Sequence, residues 1–178
     1  MSSQTEQASK VLAIGFLPPP LGGISVSFKL FCDIAAEDGK VVLEVVNLSG
    51  FSRSRFLPRE ALRLIEQIWI GAGRCDVAML YCATPQVATL GLLTLAVCRL
   101  RGKSFILRKA AGMDYLALGA LSGRVAEFVV ERADLFLAQT KQLAEACLAR
   151  GVVRTKWLPT SRPLGSLLEN ERECRRFV

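Results

Sequence analysis

Residues 77–107 read VAMLYCATPQVATLGLLTLAVCRLRGKSFIL, and no charge interrupts them from residue 77 to residue 98. A run of that length is long enough to cross a bilayer. The segment Ala83-Thr84-Pro85-Gln86 divides it into a β-rich piece, VAMLYC, and a helical piece, VATLGLLTLAVC, each too short to span alone. The favoured reading is a buried strand over 77–82, a buried helix over 85–100 and a further strand over 104–107. Strand, helix and strand in succession make a βαβ unit, the building block of parallel sheets.

The same alternation continues on either side. Apolar β-rich runs at 11–16, 41–48, 135–138 and 154–158 read as further strands of a sheet covered on both faces. Ala61, Leu62, Leu64, Ile65, Ile68 and Trp69 recur at helical spacing, with Arg59, Arg63, Glu66 and Gln67 left for solvent. Helices are also expected over 25–36, 116–132 and 140–150, the last stopped by Gly151. Right-handed crossovers wind these units into a doubly wound, Rossmann-like α/β sheet with helices on both faces. The expected organisation is a flexible stretch over 1–9, one domain over 10–163, and a charged linker over 164–178. The final Phe177-Val178 fits the start of another buried strand and a frayed terminus equally well.

A chain of 178 residues with 51% hydrophobic and 22% charged residues has enough apolar surface for one core. Its net charge of +7 favours anionic partners: a phosphorylated ligand, an anionic membrane or nucleic acid. Aromatic content of 7% and the lack of a helix with a concentrated Lys/Arg face argue against nucleic acid. With no histidine and no CxxC pair, no metal site or metal cofactor is expected. Cys82 and Cys98 sit in apolar runs, where thiols act as small hydrophobes, so a reducing, cytoplasmic location is expected. The polar start MSSQTEQAS is not a signal peptide. Ser-His-Asp, Cys-His and GxSxG arrangements are absent, which removes the usual nucleophilic hydrolases.

Five segments are candidates for chemistry. Pro18-Pro19-Pro20-Leu21-Gly22-Gly23-Ile24-Ser25 joins the first strand to the first helix, where glycines let backbone N–H groups approach a phosphate. It lacks GxGxxG spacing, and a rigid connecting turn is the plain alternative. Gly102-Lys103-Ser104 is a helix-to-strand turn, with Val97 where a P-loop needs its first glycine. Arg108, Lys109 and Gly112 leave the fourth strand as cations beside a glycine, with Asp114 as an acceptor, and a solvated basic loop is the alternative. Thr140 suits a helix N-cap, and Lys141 beside it hints at an anionic partner or points to water. Arg162, flanked by Pro159 and Pro163, is either held toward a cleft or solvated.

Three stretches taken together carry a resemblance: PPPLGGISVSFKLF, LRKAAGMDY, and ADLFLAQTKQLAEACLARGVVRTKWLPTSRP. The chain is similar to the amino-terminal, acceptor-side domain of retaining GT-B glycosyltransferases, the large group 1 or family 4-like set that uses nucleotide sugars. The likeness spans nearly the whole chain and is most specific from residue 133 to residue 163. It implies Gly22 and Gly23 near the donor diphosphate, with Arg108, Lys109, Gly112, Thr140 and Arg162 around the cleft. It implies a sugar nucleotide as donor substrate, a glycan or lipid-linked acceptor, and a donor-binding domain supplied in trans or lost by truncation. Members often carry a histidine in this half, which is absent here. A non-catalytic module recognising a phosphorylated or sugar ligand stays open beside the enzyme half, and so does peripheral contact with an anionic membrane.

Overall fold

The computed structural model describes residues 8–19, 21–50, 58–110 and 120–160. Strands β1 (Ser9–Gly15), β2 (Val41–Asn47), β3 (Val77–Cys82), β4 (Ser104–Lys109), β5 (Leu135–Ala138) and β6 (Thr155–Trp157) form one sheet in the order β2-β1-β3-β4-β5-β6. Every neighbouring pair is parallel. Helices α1 (Gly23–Asp38), α2 (Pro58–Arg74), α3 (Thr84–Gln86), α4 (Leu92–Arg101), α5 (Ala120–Arg132) and α6 (Lys141–Ala149) connect the strands. The chain is thus a Rossmann-like α/β domain.

Handedness explains how the helices divide between the faces. Moving from β1 to β2 runs the opposite way along the sheet from the moves β2 to β3 and β3 through β6, so right-handed crossovers place α1, alone among the described helices, on one side. Phe28, fully buried, packs there with Ala13, Met79 and Tyr81, joined by Ile24 and Phe31. Leu12, Ile14, Leu80, Leu107 and Phe136 face the other way, into a core closed by residues of α2, α4, α5 and α6 such as Ile68, Leu95, Val129 and Leu143. Each large side chain fully buried in that core contributes about 1.5–3 kcal/mol, so this face carries most of the stabilisation.

Residues 77–98 fold as a buried strand followed by helix. Leu95, Val97 and Cys98 are buried in the protein core, and among the described residues no helix is long and apolar enough to cross a membrane. The helical part is not uniform: α3 runs into a π-helical stretch (Val87–Gly91) before α4, and the Thr94 hydroxyl donates to the Leu90 carbonyl at 2.8 Å.

Strand β4 runs past the expected end at Leu107 and takes in Arg108 and Lys109. The reason is pairing on both sides: Arg108 is in register with Tyr81 and Leu137, and Lys109 with Cys82 and Ala138, so the ladder continues beneath both cations. α1 begins two residues before the expected position and ends two residues after it, closed by Gly39 at φ 66°.

Candidate functional site

Winding direction reverses between β1 and β3, and in open α/β sheets the crevice beyond the strand ends at such a reversal is where ligands sit. Two features shape this crevice on the β1 side. Gly15 closes β1 beneath α1: a methyl group there would stand 2.8 Å from three carbons of the Phe28 ring, so only glycine lets the helix lie this close. The chain beyond is tied to the end of β2, because Leu17 N–H donates to Asn47 Oδ1 at 3.1 Å and Ser49 N–H donates to the same oxygen at 2.9 Å. The Ser49 hydroxyl also donates to the Leu17 carbonyl.

α1 then starts with Gly22 as its N-cap, in extended backbone at φ −160° that any residue adopts. What glycine provides here is open space. A methyl group on Gly23 would meet nothing within 4 Å, and one on Gly22 would meet only the Ser25 Oγ at 3.8 Å. Ser25 is spent locally: its Oγ accepts from Gly22 N–H at 3.0 Å and donates to the Gly22 carbonyl at 3.0 Å. The first-turn amides of Gly23 and Ile24 have no intrahelical acceptor, and no acidic residue occupies that turn. The positive end of a helix of 16 residues therefore opens on the crevice uncompensated by any carboxylate of its own.

Gly22, Gly23 and Ser25 thus form one structural unit, and the other described candidates, Arg108, Lys109, Thr140 and Lys141, fall elsewhere. Thr140 and Lys141 open α6 at the end of β5, three strands from β1, about 14 Å along the sheet edge. There Thr140 Oγ1 accepts from Leu143 N–H at 3.2 Å as an N-cap, and Lys141 lies 3.8 Å from Glu145 one turn on. Arg108 and Lys109 point to opposite faces of β4, as consecutive strand residues must. Lys109 is fully buried on the side of Phe105 and Leu107. Arg108 lies under α1, its guanidinium 4.8 Å over the Tyr81 ring and 5.5 Å from Phe31, and burial lowers its pKa. Gly112, Asp114 and Arg162 lie outside the described residues.

The thiols of Cys32, Cys82 and Cys98 are structural in character. Burial pushes Cys82 up to about 12 against the opposing pull of Lys109, and burial raises Cys98 and Cys32 to about 11. Thiols held so far above neutrality are poor nucleophiles. Among the described residues no group of three or more His, Cys, Asp and Glu is placed to hold a metal ion.

Sequence reasoning missed Asn47 and Ser49, which hold the crevice loop in place. Their signal is faint: an Asn-Leu-Ser-Gly run closing an apolar strand. It also missed Phe31 and Tyr81, whose rings flank Arg108, because nothing local in a sequence pairs a helix residue with a strand three elements away.

No family model matches the chain, and no curated protein matches it. Solved structures do. The chain is similar to Anabaena HepE in complex with UDP and glucose, at 15% identity and a TM-score of 0.60 over 88% of this chain and 46% of that one. The complex of HepE with UDP-glucose matches at 14% identity and a TM-score of 0.60, and the complex with UDP at 13% and 0.57, each over 88% of this chain and 45% of that one. The likeness is one of fold, and the chain spans less than half the length of the structures it matches.

Proposed function

We propose that this chain is the acceptor-side half of a glycosyltransferase that moves a sugar from a nucleotide-sugar donor to a glycan or lipid-linked acceptor. The observation that carries the reading is the start of α1 where the sheet reverses its winding: the N-cap Gly22 makes no side-chain cap, and no acidic residue occupies the first turn. The fold it shares with a protein solved with UDP and UDP-glucose supports the same ligand class.

Glycosyl transfer leaves negative charge on a departing diphosphate as positive charge builds on the sugar ring. Preorganised amides at a helix start stabilise the departing charge without reorganising during the reaction. In this reading Gly22, Gly23 and Ser25 line the diphosphate, Ser25 by holding the turn. Thr140 and Lys141 stand farther along the same sheet edge, on the acceptor side. A second Rossmann-like domain, in trans or on further polypeptide, supplies the remaining donor contacts.

Peripheral contact with an anionic membrane belongs to the same proposal. Its support is the net charge of +7, the exposed Leu62, Leu100 and Phe128 on the helices, and Arg101 and Arg132 stacked over Trp69 and Phe128 respectively.

Calorimetric titration with UDP, UDP-glucose and uridine tests the ligand class. The expected result is saturable binding of the two diphosphates and at least tenfold weaker binding of uridine. Equal affinity for all three, or no binding of any, overturns the reading.

A further inference from the structure

Apart from the crevice, a concavity among the described residues combines an apolar wall with the nearly buried Arg108. It runs along the α1 side of the sheet, has a volume of about 370 Å³, and is lined by Leu30, Phe31, Ile34 and Ala35 of α1, by Leu158 after β6, and by Arg108. Ile34 is 47% exposed and Leu158 37% exposed, so hydrocarbon that could be covered is left facing water.

Arg108 is the unusual member. It is only 6% exposed, and among the described residues no carboxylate comes within ion-pairing distance of it. A guanidinium carries five N–H donors. The contacts of Arg108 are the faces of Tyr81 and Phe31 and one bond at the outer limit of length, from Nη2 to the Pro159 carbonyl at 3.4 Å. No Arg108 nitrogen is both shut off from solvent and without a partner, so its remaining donors face the water of the groove, where an oxyanion can take that water's place. The acid among the lining residues, Asp38, stands at the opposite end of α1, seven residues or about 10 Å beyond Phe31. It pairs there with Lys40 at 3.4 Å, so the groove has a cationic end and an apolar length.

We propose that this groove binds a single-chain anionic amphiphile, its phosphate or carboxylate oxygens meeting Arg108 and its hydrocarbon lying along Leu30, Phe31, Ile34 and Ala35. A guanidinium meets either oxyanion with two parallel N–H···O bonds, and the two flanking rings fix its plane. The groove opens beneath α1, whereas the Gly23 and Ile24 amides open at the helix start. The inference goes beyond the transfer activity and does not rest on sugar-nucleotide binding.

The test is a titration series with butyl, hexyl, octyl and decyl phosphate, each below its micellar concentration, beside decanoate and decanol. One molecule bound per chain is expected, with affinity rising by up to about fourfold for each methylene that becomes buried. Decyl phosphate or decanoate should bind at least tenfold more tightly than decanol, and whichever binds better identifies the headgroup. Arg108→Met should abolish that preference. Since Arg108 is buried and its variant can lose the fold, Ile34→Glu, at a half-exposed position, should weaken decyl phosphate at least tenfold with an unchanged circular dichroism spectrum. Affinity independent of chain length, equal binding of decanol, or an Ile34→Glu variant that binds as well as the parent would overturn the proposal.

Discussion

Two helices begin on the same edge of the sheet, and their first turns are built oppositely. α6 is closed: Thr140 caps the Leu143 amide, and Lys141 is engaged with Glu145. α1 differs: its N-cap is a glycine with no side-chain cap, the Ser25 hydroxyl is turned back onto Gly22, and the Gly23 and Ile24 amides have no intrahelical acceptor. A helix that needs only stability is capped by its own side chain, at a gain of about 1 kcal/mol over alanine and a few tenths over glycine. A helix that forgoes this gain at the reversal point of the sheet has its positive end free for a ligand. The contrast separates a capped helix start from the one proposed to bind, using residues that look equally suggestive in sequence.

The strongest way to break the contrast is to unseat α1. Gly15→Ala places a methyl group 2.8 Å from the Phe28 ring and should cost about 1–3 kcal/mol of stability, read from the urea midpoint, with α1 displaced from β1. A midpoint unchanged from the parent would mean that α1 is not seated as described. Next comes Gly22→Asp, which fits the extended backbone, supplies the missing cap and puts a carboxylate where the diphosphate is proposed to lie. UDP affinity should fall at least tenfold, about 1.4 kcal/mol, while stability holds or rises by a few tenths. Tighter or equal UDP binding would count against the open helix start.

Thr140→Ala addresses the closed partner. It should cost about 1 kcal/mol of stability and leave UDP affinity within twofold of the parent, and a larger loss of binding than of stability would make α6 part of the site. The smallest effect is expected for Lys141→Ala. Its pair with Glu145 is exposed, so the stability change should stay under about 0.5 kcal/mol.

Much of the fold is legible in the sequence because the parallel sheet is buried on both faces. Runs such as VAMLYC and LFLA cannot be placed at a surface, and the Ala61–Trp69 spacing reads as a helix, although only Leu64 and Ile68 of that stripe are buried while Leu62, Ile65 and Trp69 are exposed. Strand ends are less legible. Arg108 and Lys109 look like a basic loop, yet backbone pairing with Tyr81 and Cys82 on one side and Leu137 and Ala138 on the other carries β4 beneath them. Their separation onto opposite faces follows once the strand is known to continue, and two cations that seem to form one grip become two unrelated groups. The Gly22-Gly23 turn is legible as a position, since it follows the first strand. Its openness is not, because that depends on where the Ser25 hydroxyl turns and on Asn47 reaching back to Leu17.

The central claim is that the amides opening α1 receive the phosphates of a nucleotide. Titrating UDP into ¹⁵N-labelled protein and following each backbone amide tests it most directly. Saturable shifts concentrated at Gly22, Gly23 and Ile24, with Leu143 unmoved, are the result expected. Shifts that leave those three amides in place while others move, or no shift at any amide as UDP is added, would contradict it.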